Sequence, residues 1–360
     1  MNSTAEKVGW TTEPGGRGTV GLLWSCFATI FLCTWSAVHP NLPALSDSPW
    51  KTFRRKIGYM LFCIVAPEWT ATNALEDFRV VNMFKRKYKL RHPVSKRRWS
   101  LKHYYFLEMG GYVIQTDQMH RIRIDSLVLI ELIRDGIIEA PELEDEDIDD
   151  RSKANWFTKF IALLQVTYFI AQLLARAIDQ LPITTLELFT LGIVFCALVT
   201  YASFWQKPFD VNRPVVLRPP NAHEGGRHHD SLKDVGRTHL LQSPYANGYI
   251  TWLLSLLVFV PFGAVHMIGW NFSFPSAAER WLWRAASVFC MAAPMPILAL
   301  TDYLERHPGP KYADWVLGVG TTLYIVVRAY LCVEMLVGLR AVPAGVYRTV
   351  DWTEYFPAFG

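Results

Sequence analysis

Long apolar segments alternate with polar connections along the whole chain. A helix needs about 20 mostly apolar residues to cross a bilayer, at a rise of about 1.5 Å per residue. The segments that reach this length are residues 19–38, 57–75, 156–175, 183–205, 249–270, 283–301 and 315–339. The pattern therefore predicts an all-α fold, a polytopic transmembrane helical bundle of about seven spans.

The start of the chain favours a retained first helix. Residues 1–18 are polar and rich in glycine, with neither the basic run nor the small-residue cleavage site of a secretory signal. Residues 19–38 contain no charged side chain. We expect this segment to remain in the protein as its first span.

The connections between the apolar segments differ in length and charge. The longest, residues 76–155, begins basic and ends acidic, and residues 124–138 within it show a helical spacing of apolar positions. This predicts a small cytosolic helical segment, packed on the bundle, between the second and third spans. A second connection, residues 206–248, is rich in Pro, Gly and His, and the chain ends in a tail, residues 340–360.

Residues 101–116 are apolar but do not match a normal span. They number only 16 and include His103, Glu108 and a pair of glycines. Such a segment is short and polar for a transmembrane helix and fits an interfacial or re-entrant segment better. If it crossed the bilayer, the orientation of every later span would be reversed.

The composition agrees with a membrane protein. Only 19% of the residues are charged and 51% are hydrophobic, whereas soluble domains usually carry about 25% charged residues. The 14 tryptophans are typical of a chain with many membrane interfaces. All six cysteines lie inside the apolar segments, so we interpret them as buried apolar side chains rather than a disulfide framework or a metal site.

The distribution of Lys and Arg predicts an orientation, because cytoplasmic connections are enriched in these residues. With a cytosolic N-terminus, the cytosolic connections hold 25 of them and the opposite ones eight. The sequence thus predicts a cytosolic N-terminus and a luminal C-terminus, in the endoplasmic reticulum membrane. Four positive residues just before the second span disagree with this arrangement. Asn271 begins a glycosylation acceptor triplet that the arrangement makes luminal.

Common catalytic and cofactor motifs are missing from the sequence. It has no Walker A motif, no G-x-G-x-x-G before a helix, no H-E-x-x-H and no G-x-S-x-G. His223, His228 and His229 lack the spacing of a helical metal site. We therefore expect no metal and no other cofactor. The basic run at residues 85–102 favours contact with anionic lipid over nucleic-acid binding.

A few ionisable residues lie within the apolar segments, where a charge is costly. Glu68 follows Pro67, which predicts a kinked helix beside a buried carboxyl group. Glu68 could donate or accept a proton, or it could pair with Arg328 of the last span across the bundle. His266 and His39 lie near span ends, where we expect hydrogen-bonded interface residues.

Seven stretches of the chain carry a resemblance to known proteins: residues 24–41 (WSCFATIFLCTWSAVHPN), 66–69 (APEW), 103–114 (HYYFLEMGGYVI), 163–191, 205–215 (WQKPFDVNRPV), 274–287 (FPSAAERWLWRAAS) and 342–357 (VPAGVYRTVDWTEYFP). They resemble a family of filamentous-fungal multi-pass membrane proteins of specialised-metabolite gene clusters. Within that group the chain is similar to the norbornene-forming Diels–Alder cyclases of sordarin-type diterpenoid biosynthesis. The resemblance implies an integral membrane enzyme of terpenoid biosynthesis, a cofactor-free cyclase or isomerase.

Such a cyclisation needs an apolar cavity and a hydrogen-bond donor that polarises a carbonyl group. The residues that could supply donors or proton transfer are Glu68, Arg328, His103 and Glu108. The expected partners are an apolar small-molecule substrate, the lipid bilayer and other enzymes of the pathway. Two other functions fit an apolar bundle, a transporter of an apolar metabolite and a receptor or scaffold.

Overall fold

The computed structural model describes residues 6–12, 17–115, 121–152, 156–217, 248–306 and 311–351. It is mostly helical, as predicted. The helices are α1 (Thr19–Ala37), α2 (Pro49–Val65), α3 (Pro67–Tyr88), α4 (Leu101–Glu108), α5 (Ser126–Arg134), α6 (Asp145–Arg151), α7 (Trp156–Ile178), α8 (Thr185–Ser203), α9 (Gly248–Ile268), α10 (Ala277–Ala292), α11 (Pro294–Arg306) and α12 (Lys311–Val337). Short 3₁₀ turns cover Gly269–Asn271, Gly338–Arg340 and Ala344–Tyr347.

Six helical stretches of the described residues have the length and apolar composition needed to cross a membrane. They are Thr19–Ala37, Lys159–Ile178, Thr185–Ser203, Tyr249–Asn271, Ala277–Thr301 and Trp315–Arg340. Each corresponds to one predicted span, and the fifth combines α10 with α11. The second predicted span, residues 57–75, is not among them.

A break at Ala66 divides that segment into two helices. Ala66 has φ −136° and ψ 63°, outside the helical region, and α3 begins at Pro67. Proline has no N–H to continue the ladder of α2, and it also disfavours the helical conformation of the residue before it. The predicted kink at Pro67 is therefore a complete break between two helices. The segment predicted as one kinked span, residues 57–75, is divided between α2 and α3.

The two helices form a hairpin that enters the bundle and returns, which we call the α2–α3 hairpin (residues 49–88). Near the middle of α2, Lys56 lies 3.6 Å from Asp210. Near the middle of α3, Asp77 lies 3.0 Å from Lys207. Because Lys207 and Asp210 are only three residues apart in the chain, both helices extend from the tip toward the same end of the bundle.

A compact domain, the cap, occupies that end of the bundle. It contains the end of α3, the helices α4, α5 and α6, and a sheet of β2 (Tyr112–Gln115), β3 (Arg121–Arg123) and β4 (Val215–Leu217). Strand β2 is antiparallel to β3 and parallel to β4. A cluster of aromatic side chains, with Trp99 stacked on Tyr112 at 6.0 Å, fills its core. We call this side of the molecule the cap end.

The cap gives residues 101–115 a defined structure and adds a sheet that the sequence did not predict. These residues form α4, a glycine turn and β2, and most of them are buried in the cap core. The fold is thus mostly helical, with a small three-stranded sheet beside the predicted helices. The expected helix within residues 124–138 is confirmed as α5. The acidic run begins α6, where Glu144 and Asp147 form a capping box.

The two ends of the described chain meet at the opposite side of the bundle, the terminal end. Strand β1 (Lys7–Val8) pairs antiparallel with β5 (Val342–Pro343). The Tyr347 hydroxyl donates to the Gly9 carbonyl at 2.9 Å. Both ends of the chain therefore share one side, which contradicts the predicted arrangement with one terminus on each side.

We expect Gly111→Ala to disrupt the cap. A Cβ atom there would lie 2.4 Å from the Phe106 carbonyl oxygen, which is backbone and has little room to move. The Gly111 carbonyl also accepts a hydrogen bond from the Val215 N–H, and this bond joins the segment of β2 to that of β4. The expected loss is about 2–3 kcal/mol of cap stability, measured as faster hydrogen–deuterium exchange in residues 101–115.

Gly58→Ala is the matched control for that substitution. Gly58 lies in α2, and an added Cβ atom would meet no atom within 4 Å. In a helix interior this change removes backbone freedom of the unfolded chain and favours folding by about 0.5–1 kcal/mol. Equal exchange in the two variants would contradict the packing of the glycine turn.

Candidate functional site

The tip of the α2–α3 hairpin is joined to the last helix by an arginine. Arg328 of α12 is fully buried, and its Nε donates to the Val65 carbonyl at 2.8 Å. The last carbonyls of a helix have no partners within that helix. The break at Ala66 leaves the Val65 carbonyl without a partner in its own helix, and Arg328 supplies the missing hydrogen-bond donor inside the bundle.

His266 of α9 is the second hydrogen-bond partner of the Arg328 guanidinium. Its Nδ1 lies 3.0 Å from the Phe262 carbonyl oxygen, one turn earlier. A carbonyl can only accept, so Nδ1 carries the hydrogen and Nε2 is left as an acceptor. Arg328 Nη1 lies 3.3 Å from that Nε2 and donates to it.

Aromatic rings surround the Arg328 guanidinium on its remaining sides. The guanidinium carbon lies 4.8 Å from the ring centre of Phe262 and 5.3 Å from that of Phe189. Cation–π attraction of this kind offsets part of the cost of burying the charge. The remaining nitrogen, Nη2, is buried and has no hydrogen-bond acceptor.

Glu68 lies in the first turn of α3, next to the helix break. It is fully buried, and neither of its carboxyl oxygens accepts a hydrogen bond from another residue. Arg328 is close enough to act on it electrostatically, but the two make no ion pair within 4.0 Å, and Arg328 bonds to Val65 and His266 instead. The direct Glu68–Arg328 pair considered from the sequence is therefore not formed.

These residues form the candidate site, which we call the hairpin-tip cluster: Glu68, Arg328 and His266. It combines one guanidinium nitrogen without an acceptor and a carboxyl group without a donor from any other residue, both shielded from water by apolar and aromatic side chains. Electrostatic interactions are strongest in such surroundings. The cluster can therefore polarise a carbonyl group, or hold and transfer a proton.

His103 and Glu108 belong to the cap and do not join this cluster. His103 Nε2 lies 2.7 Å from the Leu143 carbonyl, and Nδ1 lies 3.1 Å from Asp145. Both ring nitrogens thus connect α4 to α6 and its preceding segment, which is a structural role. Glu108 is the last residue of α4 and is half-buried.

The other polar candidates lie apart from the cluster as well. His39 lies between α1 and the cap, where burial lowers its pKa to about 3, with a further contribution from Lys207. Asn271 is exposed in a 3₁₀ turn at the terminal end, where a glycan could be attached. His223, His228 and His229 lie outside the described residues. Within the described residues, no group of three or more His, Cys, Asp or Glu side chains could hold a metal.

His266 is the member of the cluster that the sequence analysis did not select, because it lies near the end of its apolar segment. The structure shows that it is fully buried and accepts a hydrogen bond from Arg328. Its signal in the sequence was its position inside an uninterrupted apolar helix. Such a position requires a partner for the imidazole.

The sequence matches one family, a family of unknown function (DUF8562), over residues 1–224 and 288–359. The chain belongs to that family. The matched regions include Glu68 and Arg328, whereas His266 lies in the unmatched stretch between them. No curated protein and no solved structure matches the chain.

Arg328→Met is expected to lower stability by roughly 1.5–3 kcal/mol, the usual worth of a hydrogen bond to a charged group. The substitution leaves the Val65 carbonyl buried without a donor. The measurement is the midpoint of thermal unfolding of the purified protein in detergent. Arg340→Met is the matched control, because Arg340 is half-exposed and pairs with Glu279 near the surface, where such pairs contribute about 0–1 kcal/mol.

Glu68→Gln is expected to behave in the opposite way and to leave the midpoint unchanged or raise it. The carboxyl group has no donor to lose, and the neutral amide avoids burying a charge. If Glu68→Gln destabilised the protein as much as Arg328→Met, the carboxylate would have to be a bonded structural partner.

Proposed function

We propose that the chain crosses the membrane six times and that the α2–α3 hairpin enters and leaves on the cytosolic side. In this arrangement the cap is cytosolic and both termini are luminal. The support is the distribution of positive charge. Among the described residues outside the candidate spans, 22 Lys and Arg lie at the cap end and three at the terminal end, as expected for a cytosolic cap.

This arrangement removes the disagreement found in the sequence. The four positive residues at the start of α2, Lys51, Arg54, Arg55 and Lys56, now share the cytosolic side with the other basic connections. Asn271 lies at the terminal end, so its acceptor triplet faces the lumen, and we propose it as a glycosylation site in the endoplasmic reticulum.

Protease protection tests the orientation. Epitope tags are fused to each terminus and inserted in the connection 218–247, and sealed microsomes are treated with protease. Both terminal tags should be protected and the inserted tag removed, while Asn271→Gln should abolish any glycosidase-sensitive shift. Removal of one terminal tag but not the other would contradict an even number of crossings.

We propose that the hairpin-tip cluster is the site of an integral membrane enzyme that acts on an apolar small molecule without a cofactor. The supporting observation is the pair of unused polar groups at the cluster, Arg328 Nη2 and the Glu68 carboxyl group. Buried polar atoms without partners are rare in folded proteins and call for an explanation. A substrate carbonyl that accepts from Arg328 would satisfy one of them.

The reaction class that fits best is a cyclisation or isomerisation, with an intramolecular Diels–Alder reaction of a terpenoid as the specific proposal. In that reaction two carbon–carbon σ bonds form as two π bonds are lost, and no proton, electron or leaving group is exchanged. The protein has to hold diene and alkene together and polarise the activating carbonyl. Arg328 would serve as the donor and Glu68 as a neutral acid beside it.

Transport of an apolar metabolite is the second candidate. The observation that favours it is the helix break inside the bundle, because many transporters bind substrates at discontinuous helices. In this case Glu68 and Arg328 would bind a polar group of the cargo without changing it.

Conversion in microsomes separates the two proposals. Microsomes that contain only this protein are given an apolar polyene that carries a diene and an α,β-unsaturated aldehyde, and the cyclised product is measured by mass spectrometry. We expect product above the level of empty microsomes. Glu68→Gln, which should fold normally, is expected to lower the rate by up to about 10²-fold, because an amide N–H is a weaker hydrogen-bond donor to the polarised carbonyl than a neutral carboxyl group.

Arg340→Met is the control that should keep full activity, since it lies in a surface pair away from the cluster. Full activity in both Glu68→Gln and Arg328→Met would overturn the proposed site. Absence of conversion would overturn the enzyme proposal for this substrate class, and uptake into sealed vesicles without conversion would favour transport.

A further inference from the structure

A second polar feature, which shares no residue with the hairpin-tip cluster, lies between α1 and α7. A cleft of about 480 Å³ lies there, and its lining includes Arg17, Ser25, Ala28, Gln165 and Arg176. Ligand sites of small molecules commonly have volumes of this order.

Two arginines lie at the inner wall of the cleft near the terminal end. Arg176 is fully buried, and it donates to the carbonyls of Pro182, Val346 and Arg348. Its Nε is buried without an acceptor. No carboxylate of the described residues lies within ion-pair distance of Arg176, which is unusual for a buried guanidinium.

Arg17 adds a second unused donor to the same wall. Its Nη2 lies 2.6 Å from Glu187, whereas its Nη1 is buried without an acceptor. Ser25, which also lines the cleft, has a buried hydroxyl without a partner. Three unsatisfied polar side chains therefore converge on one cavity.

The charge balance of the cleft is positive. Arg17 and Arg176 contribute two positive charges to its wall, and no carboxylate is among its lining residues. Glu187, which pairs with Arg17, and Asp179 both act on Arg176 through space and offset part of this charge from outside the lining. The site thus favours an anionic group with acceptor oxygens, since guanidinium binds phosphate and carboxylate groups well.

The rest of the cleft suits an apolar chain. On α1 the small residues Gly21 and Ala28 leave a groove, and the exposed rings of Trp24 and Tyr168 form its rim. Both rings lie on the outer surface of candidate spans. The cleft is therefore open sideways, toward the space that lipid occupies around the bundle.

Two glutamines of α7 support the same interpretation. Gln165 and Gln172 line the cleft within a candidate span, where uncompensated polar groups are costly. The Gln165 amide donates to Thr29 of α1 at 2.9 Å. A polar ligand in the cleft would explain a polar stripe at this position.

From these contacts we propose that the cleft binds an anionic amphiphile, with a phosphate or carboxylate head on Arg17 and Arg176 and an apolar chain along α1 and α7. This site is separate from the hairpin-tip cluster and does not depend on the reaction proposed there. It gives the protein a binding site for a lipid-like molecule at the face opposite the cap.

The test measures binding of lysophosphatidic acid to the purified full chain in neutral detergent by native mass spectrometry. One molecule should bind saturably, at least tenfold more tightly than lysophosphatidylcholine, whose head has no net charge. Ala28→Phe, which fills the groove, should weaken binding at least tenfold. Leu164→Phe is the matched control, because Leu164 is exposed on α7 outside the cleft, and it should bind as the wild type does.

Three outcomes would overturn the proposal. Equal binding in Ala28→Phe and in the wild type would show that the ligand lies elsewhere. Equal affinity for the zwitterionic lipid would remove the role of the two arginines. Inorganic phosphate that displaced the lipid at equal concentration would show a head-group site without the apolar groove. Arg17→Gln removes one of the two charges. Weaker binding in this variant with an unchanged unfolding midpoint is expected from loss of the charge rather than loss of the fold.

Discussion

The structure depends on one requirement, that a backbone carbonyl inside an apolar bundle must find a hydrogen-bond donor. Pro67 ends α2 in the middle of the bundle, and the free Val65 carbonyl receives its donor from Arg328. Because that acceptor is satisfied, the chain can turn at Ala66, and α3 runs back along α8 instead of continuing to the opposite end of the bundle. The cap, which follows α3 in the chain, therefore lies at the same end of the bundle as the start of α2.

A buried arginine also donates to free backbone carbonyls at the terminal end. Arg176 donates to the carbonyls of Pro182, Gly345 and Val346, and so holds the irregular segment after α12 against the end of α7. Both arginines are fully buried and both bind mainly backbone carbonyls rather than carboxylates. This use needs a planar, permanently charged group with several donors, which lysine could not replace.

Each of these arginines has a guanidinium nitrogen that its neighbours leave without an acceptor, Nη2 of Arg328 and Nε of Arg176. We propose that these nitrogens mark two separate places where a small molecule binds. At the hairpin tip the Glu68 carboxyl group shares the apolar surroundings of the unused nitrogen, and this combination suits a substrate with a carbonyl group. In the cleft between α1 and α7 the unused nitrogens belong to side chains that line a groove with exposed aromatic rings, which suits an anionic amphiphile. The two sites share no residue.

The sequence determined the mostly helical fold, six of the seven predicted spans as long apolar helices and the presence of Glu68 and Arg328 within apolar segments, because apolar length and the place of a charge within it are local properties. It also located the break at Pro67. Tertiary structure decided that the broken segment returns rather than crosses, because this depends on a donor 263 residues away in the chain. The pairing of β1 with β5, the sheet of the cap and the place of His266 likewise rest on contacts between distant segments. Hydrophobic periodicity carries no information about such contacts.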